Sequence, residues 1–297
     1  MTKLPTGVIL VKGAWASASD STTPLPEGGS VNGNVFTDEY FGITYAAPKG
    51  WTERYQGPPP SDSGGYVLAQ IQPHTPTDTT QGHILVTAQD MFFTPLPTEN
   101  ALELIAYQKD NLQSDYQLEV APRQTKIAGR PFTFFAYSSP VAKLHWYVLG
   151  TEIRCHAVEF VLTSRDTKLL ESLVADMNRM QLPAKASPSG GEGGGAFPVC
   201  IKDYAEDENL IARADPILTE HRFTPVPVRI IIDKNGKVKH IHFLSAYPDE
   251  EKVITDALLQ WKFKPYLKDG QPVEVETGIM FGRAPRPLMP SQGAKLR

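Results

Sequence analysis

Residues 184–197, AKASPSGGEGGGAF, set the strongest limit on how this chain folds. The run is dominated by glycine and holds no aliphatic residue larger than alanine, so it has nothing with which to build a core and reads as a flexible linker. GEGGG is not followed by the lysine–serine pair or the strand-to-helix context of a phosphate loop. Placed where it is in 297 residues, the linker divides the chain into a longer unit before it and a shorter one after it. The expected organisation is an extended arm over 1–34, a domain over 35–183, the linker, a second domain over 198–283 and a flexible tail over 284–297.

Composition closes off several functions. A net charge of -4 with 21% charged residues lacks the basic stripe that nucleic-acid binding uses, in either unit. The longest apolar runs, RIII and VEFVL, are far shorter than the ~20 residues of a membrane helix, so no span is expected. The opening MTKLPTGVILVKGAW has no apolar stretch as long as a signal peptide's core, which points to a cytosolic chain or to a mature form whose leader has been removed. Two cysteines, Cys155 and Cys200, fall in different units. Buried free thiols are the expectation, with a single bridge between the units as the alternative.

The first unit shows strands first, then a helix, then strands, then a final helix, a segregation that suggests an antiparallel sheet covered by helices. YFGITYAAPKGW, GYVLAQIQP and GHILVTAQD are short, β-rich and bounded by turn residues. A helix is predicted over TENALELIAYQKDNLQ, with Thr98 as N-cap and Glu99 in its first turn. A hairpin follows around Ala128-Gly129-Arg130. In LHWYVLGTEIRCHAVEFVL, glycine at 150 suits a two-residue turn at Gly150-Thr151. That register gathers Leu144, Trp146, Val148, Ile153, Cys155 and Ala157 on one apolar face. It also makes His145 and His156 cross-strand neighbours, with Arg154 and Glu152 close by. A closing helix over RDTKLLESLVADMNRMQLP has Leu169, Leu170, Leu173, Val174 and Met177 on one side and stops by Pro183.

In the second unit, VRIIIDKNGKVKHIHFL is a hairpin around Asn235-Gly236. PDEEKVITDALLQW is a helix with Pro248 and three acidic residues in its first turn and Val253, Ile254, Ala257, Leu258 and Trp261 on one face. A turn at Asp269-Gly270 then leads into a strand ending at Phe281. His240 and His242 alternate with Ile241 and Phe243, and are read as the solvent face of their strand. Trp261 and Phe263 are core anchors for a small sheet, and Pro265 prevents the helix from continuing.

Two family resemblances follow from these residues. Phe41-Gly42 with Pro48 to Trp51 resembles the start of a PsbP-like domain, which implies an α/β/α sandwich around an antiparallel sheet for 35–183. The order strand, Asn-Gly turn, strand, helix, Trp-Lys-Phe-x-Pro, Asp-Gly-x-Pro-Val, strand resembles the TonB C-terminal domain. It is carried by Asp233, Gly236, Val238, Trp261, Phe263, Pro265, Asp269, Gly270, Pro272, Val273 and Phe281. This implies a small sheet with one helix packed across it, and the whole chain is expected to be α+β. DPILTEHRFTPVPVRI departs from the usual family opening, and the membrane helix and long proline-rich spacer of energy transducers are missing from this sequence.

The resemblances imply a non-enzymatic, periplasmic or otherwise exported binding module, with the cytoplasm as the alternative location. Its partner would be an extended peptide or another protein of the cell envelope, met through the edge of the last strand by Val273, Val275, Thr277 and Ile279. Trp51 and Tyr55 beside the loop QGPPPSDSGGY form a second candidate patch. No catalytic residue, cofactor or metal is expected, because no nucleophile elbow or H-E-x-x-H occurs and two histidines at a hairpin tip do not complete a zinc site. The alternatives are a small-ligand carrier or enzyme with its site in the first unit, and a structural spacer in a larger assembly.

Overall fold

The computed structural model describes residues 15–17, 26, 29–55, 63–75, 81–94, 96, 98, 100–183, 198–218 and 225–282. The linker, the tail, most of the arm and most of the proline-rich loop therefore lie outside the described residues. The chain is mostly β-sheet with few helices, an α+β architecture.

β1 (Trp15–Ser17) comes first, and a small meander follows of β2 (Ser30–Asn32), β3 (Val35–Asp38) and β4 (Ile43–Ala46). The large antiparallel sheet takes β5 (Trp51–Tyr55), β6 (Gly65–Pro73), β7 (Gly82–Asp90), β8 (Gln117–Ile127), β9 (Arg130–Ser139), β10 (Leu144–Ile153) and β11 (His156–Ser164), in the order β5-β6-β7-β11-β10-β9-β8. Alternation along these strands divides their side chains between two faces. Ile84, Val86, Leu149, Val158, Phe160 and Leu162 point into the main core, closed by the meander and by α2 (Thr167–Met177) through Leu170, Leu173 and Met177. On the other face α1 (Ala101–Tyr107) covers Phe135, Val148 and Ala157.

α1 starts later than expected. Its N-cap is Asn100, whose side chain accepts from the Glu103 N–H at 2.9 Å, so Thr98 does not fill that role. The β10–β11 hairpin also turns four residues beyond the expected place. Ile153 faces His156 across Arg154 and Cys155, both at positive φ (48° and 61°), and Gly150 sits inside β10 opposite Glu159. Glycine is needed at 150 for a different reason: a Cβ there would come within 2.3 Å of the Ile105 side chain, so Gly150 lets α1 lie on the sheet. The shifted register separates the two histidines. His145 faces Ser164 and bonds Glu119 at 2.9 Å, while His156 lies buried at the other end of the hairpin.

The C-terminal half follows the sequence reading more closely. It contains β12 (Val199–Cys200), β13 (Leu210–Ala212), β14 (Val226–Ile232), β15 (Val238–Phe243), α3 (Pro248–Leu258), β16 (Lys262–Phe263), β17 (Tyr266–Lys268), β18 (Gln271–Val273) and β19 (Val275–Phe281). The second sheet has the order β1-β15-β14-β19-β12. Asp233 builds the β14–β15 turn by accepting from the Asn235 and Lys237 N–H groups at 2.8 and 2.9 Å. Glu250 caps α3 by accepting from the Tyr247 N–H at 3.1 Å. Trp261 is buried among Val228, Ile230, Ile254 and Phe281, and its indole N–H donates to the Ala214 carbonyl at 2.7 Å, so the large ring has no unsatisfied donor.

Every residue of β14 is buried, because the sheet is covered on both sides. Val228, Ile230 and Ile232 face α3, whereas Ile231 packs into the core of the N-terminal half. That cover corrects the reading of His240 and His242 as a solvent face: they are 6% and 0% exposed.

Candidate functional site

Arg229 is the lone cation in the apolar run VPVRIII, and β14 alternation turns it toward the N-terminal half with no exposure at all. A guanidinium so placed must find acceptors or it costs several kcal/mol. It donates to Asp90 at the end of β7, to Glu276 of β19 through Nε (3.2 Å) and Nη2 (2.7 Å), and to the Arg154 carbonyl at 3.3 Å. Its plane lies 4.8 Å from the Phe92 ring centre. The two carboxylates hold Arg229 well above its usual range. Burial pushes the Asp90 carboxyl up against the pull of Arg229. That direction fits a site where two carboxylates share one guanidinium, since full ionisation would bury one net negative charge.

His156 completes the junction. Its Nδ1 lies 2.7 Å from the Arg154 carbonyl and so must carry the proton, which leaves Nε2 to accept from Arg229 Nη1 at 3.2 Å. The imidazole is therefore neutral, and burial followed by the Arg229 charge holds its pKa well below the ordinary value. Tyr40, Phe41 and Tyr66 surround it edge-on at 5.0–5.7 Å. Tyr40 also donates to Glu276 at 3.4 Å, and Arg154 stacks 4.0 Å above the Tyr40 ring. His242 faces the same cluster from β15, and burial, then Arg229, lowers it to about 3. Arg229, Asp90, Glu276 and His156 are buried and bonded to one another, so they act as a structural joint between the halves.

A disulfide adds a covalent tie. Cys155, in the β10–β11 turn, is bonded to Cys200 of β12, with Cα atoms 5.6 Å apart. Neither thiol is free and Cys155 is not beside Trp146, which instead stacks on Tyr137 at 5.1 Å. The bridge falls on the two residues that the corrected hairpin turn and the sheet order bring together.

The strand expected as a free edge lies inside the sheet. β19 pairs along its whole length with β14, and β12 pairs in parallel with its first two residues, Val199 with Val275 and Cys200 with Glu276. Val275 and Thr277 are 1% and 0% exposed, Ile279 packs half-buried on the core, and Val273 belongs to the separate β17–β18 hairpin. The Val275 and Thr277 side chains are thus not presented to a partner. Trp51 is likewise buried, with its ring over Gly82, and the Tyr55 side chain lies outside the described residues.

The backbone of β19 tells another story. Glu274 and Glu276 carbonyls accept from the Val199 and Ile201 N–H groups at 2.8 and 3.1 Å, so alternate residues direct their polar groups to the β12 side. Gly278 and Met280, opposite Arg229 and Pro227 on β14, continue that set. β12 ends before reaching them, and among the described residues no strand pairs with them there. The stretch is bordered by Met280, 40% exposed, and by Phe92 and Phe93, which leave no room for a side chain at position 278 (2.6 and 2.9 Å from a Cβ built there).

A second concavity, ≈ 320 Å³, opens at one end of the large sheet between Gln72, His83, Leu144, Thr163 and Arg165. Thr163 pairs with Trp146 on one side and His83 on the other, so Trp146 is a cross-strand neighbour of this lining.

None of the family models matches this chain, and no curated protein matches it. Among solved structures, the solution structure of cyanobacterial PsbP (CyanoP) from Synechocystis sp. PCC 6803 is similar over 52% of this chain and 96% of that one, at 15% identity and a TM-score of 0.35.

Proposed function

We propose that this chain is a non-enzymatic binding module of the cell envelope, made of a PsbP-like unit and a TonB C-terminal-like unit, which takes up an extended segment of a protein partner beside β19. The observation that carries the reading is β12 itself: a short extended piece of the chain already adds to β19 as an outer strand and covers only its first two positions. Gly278 and Met280 then offer two further pairs of backbone donors and acceptors, and strand addition draws its affinity from such groups rather than from buried side chains. The disulfide supports an exported location, since such bonds persist in oxidising compartments.

A photoreactive residue at Met280 of the full chain tests this in the living host. The expected result is a discrete adduct with an extended segment of one envelope protein, absent when the same group replaces the 88%-exposed Val141 of the N-terminal half. Equal labelling from both positions removes the reading. The concavity beside Trp146 favours a second reading, a small-ligand carrier. Ligand-dependent quenching of Trp146 fluorescence, lost in Trp146→Phe, is its test.

A further inference from the structure

Resting on the strand-addition reading above, we infer that the Cys155–Cys200 disulfide is a redox latch that holds β12 over the edge of β19, and that its reduction uncovers this edge for an extended peptide.

β12 is held weakly by its own sheet contacts. It has two paired positions, with backbone bonds from the Val199 N–H to the Glu274 carbonyl and from the Ile201 N–H to the Glu276 carbonyl. A two-residue strand is too short to persist alone. Two other attachments fix it. One is the bond from Cys200 to Cys155, which belongs to the N-terminal half. The other lies downstream, where Thr277 donates to the Lys202 carbonyl at 3.0 Å and Tyr204 is buried in the core, its hydroxyl donating to the Lys264 carbonyl at 2.5 Å. Cutting the disulfide leaves Lys202–Tyr204 as an anchored hinge and Val199–Ile201 tethered at that end by the chain alone.

The bridge is open to attack from one side only. Cys200 is exposed and Cys155 is 1% exposed. The thiolate of an external dithiol attacks Cys200 Sγ, forming a mixed disulfide and expelling the Cys155 sulfur, which takes up a proton. The second thiolate of the reagent then attacks its own sulfur in the mixed disulfide and releases the Cys200 sulfur, which takes up another proton. Two electrons and two protons reach the protein, and the dithiol leaves as its cyclic disulfide. The Cys155 thiol so formed has an acceptor waiting, Glu276 Oε2 at 3.6 Å. Cys155 Sγ borders the joint at Glu276, but the bonds of Arg229 to Asp90, Glu276 and the Arg154 carbonyl do not run through the disulfide, so the two halves stay together while β12 lifts.

Hydrogen exchange on the full chain, with and without dithiothreitol, decides the matter. Exchange across residues 199–201 should rise about a hundredfold on reduction, as for a locally opening segment, while β14 changes less than about twofold. Cys200→Ser should reproduce the reduced pattern without reductant. Unchanged exchange at 199–201, or β14 exchanging in step with it, overturns the latch. A labelled peptide with the sequence of residues 198–203 and Cys200→Ser supplies the second arm. It should bind the reduced chain at least about tenfold more tightly than the oxidised chain. Release of 199–201 without peptide binding to either form would leave the latch standing and remove the strand-addition reading.

Discussion

Replacing Arg229 with methionine tests the joint between the halves. Methionine keeps an unbranched, flexible chain but removes the donors to Asp90, Glu276, the Arg154 carbonyl and His156. Two carboxylates, 0% and 1% exposed, are then left facing each other with no cation between them. Removing one partner of a buried ion pair costs roughly 3–5 kcal/mol. At about 2–4 °C per kcal/mol, the melting temperature should fall by about 10 °C. The deficit should depend on pH. Without Arg229 the Asp90 carboxyl rises further above its unfolded value, so the variant loses stability as pH climbs above that value. The gap to the parent is then widest near neutrality and narrows toward pH ~4. Adding Asp90→Asn and Glu276→Gln should recover at least half of the loss, because the three residues act as one network. Guanidinium chloride midpoints of the oxidised proteins at two pH values measure all of this. A loss under about 1 kcal/mol at neutral pH, or a deficit that ignores pH, would refute the joint.

Three other outcomes are expected. His156 and His242 are neutral in the fold, the latter lowered to about 3, while unfolded histidines charge below about 6.5, so stability is lost as pH falls through that window. His242→Gln should flatten the slope of unfolding free energy between those limits, and an unchanged slope counts against the assignment. Burial raises the Glu159 carboxyl to about 7 despite its 2.6 Å bond from Gln108. The fold thus holds a proton that the unfolded chain releases, and stability falls as pH rises from about 4.5 to about 7. Glu159→Gln should stabilise by about 2–3 kcal/mol above that window and hardly at all below it, as read from urea midpoints. Gly236→Ala should cost more than about 3 kcal/mol, since a Cβ there would sit 2.0 Å from the Phe263 carbonyl oxygen. Gly270→Ala, at a similar φ of 78° but in open space, should cost only about 1 kcal/mol in the same assay.

Local signals were readable wherever chemistry and geometry coincide within a few residues. Asn235-Gly236 and Pro248 with its acidic neighbours lie in the elements their residue types predict, and Trp261 and Phe263 are core anchors as expected, although α3 ends at Leu258 and leaves Trp261 beyond it. The β10–β11 turn was misplaced because Gly150 resembles a turn glycine, although tight packing against Ile105 requires it. Arg154 and Cys155 adopt positive φ without either residue type announcing it. The histidine pair and the Cys155 environment followed from that register and moved with it. The joint itself left a faint trace: a lone Arg229 within VPVRIII, Asp90 closing an alternating strand and Glu276 in VEVETGI are charges at positions whose neighbours are core. Their meeting depends on one sheet covering another, which no local pattern encodes. The same covering turned His240 and His242 inward and placed β19 between β14 and β12.

The most direct measurement compares Met280→Pro with Met280→Ala in the full chain. The Met280 N–H points away from β14, opposite Pro227, so proline removes only an outward donor and leaves the described ladder intact. With the partner identified by crosslinking at this position, the account predicts that Met280→Ala retains binding and Met280→Pro loses it at an unchanged melting temperature. Equal binding by the two variants would contradict strand addition along β19.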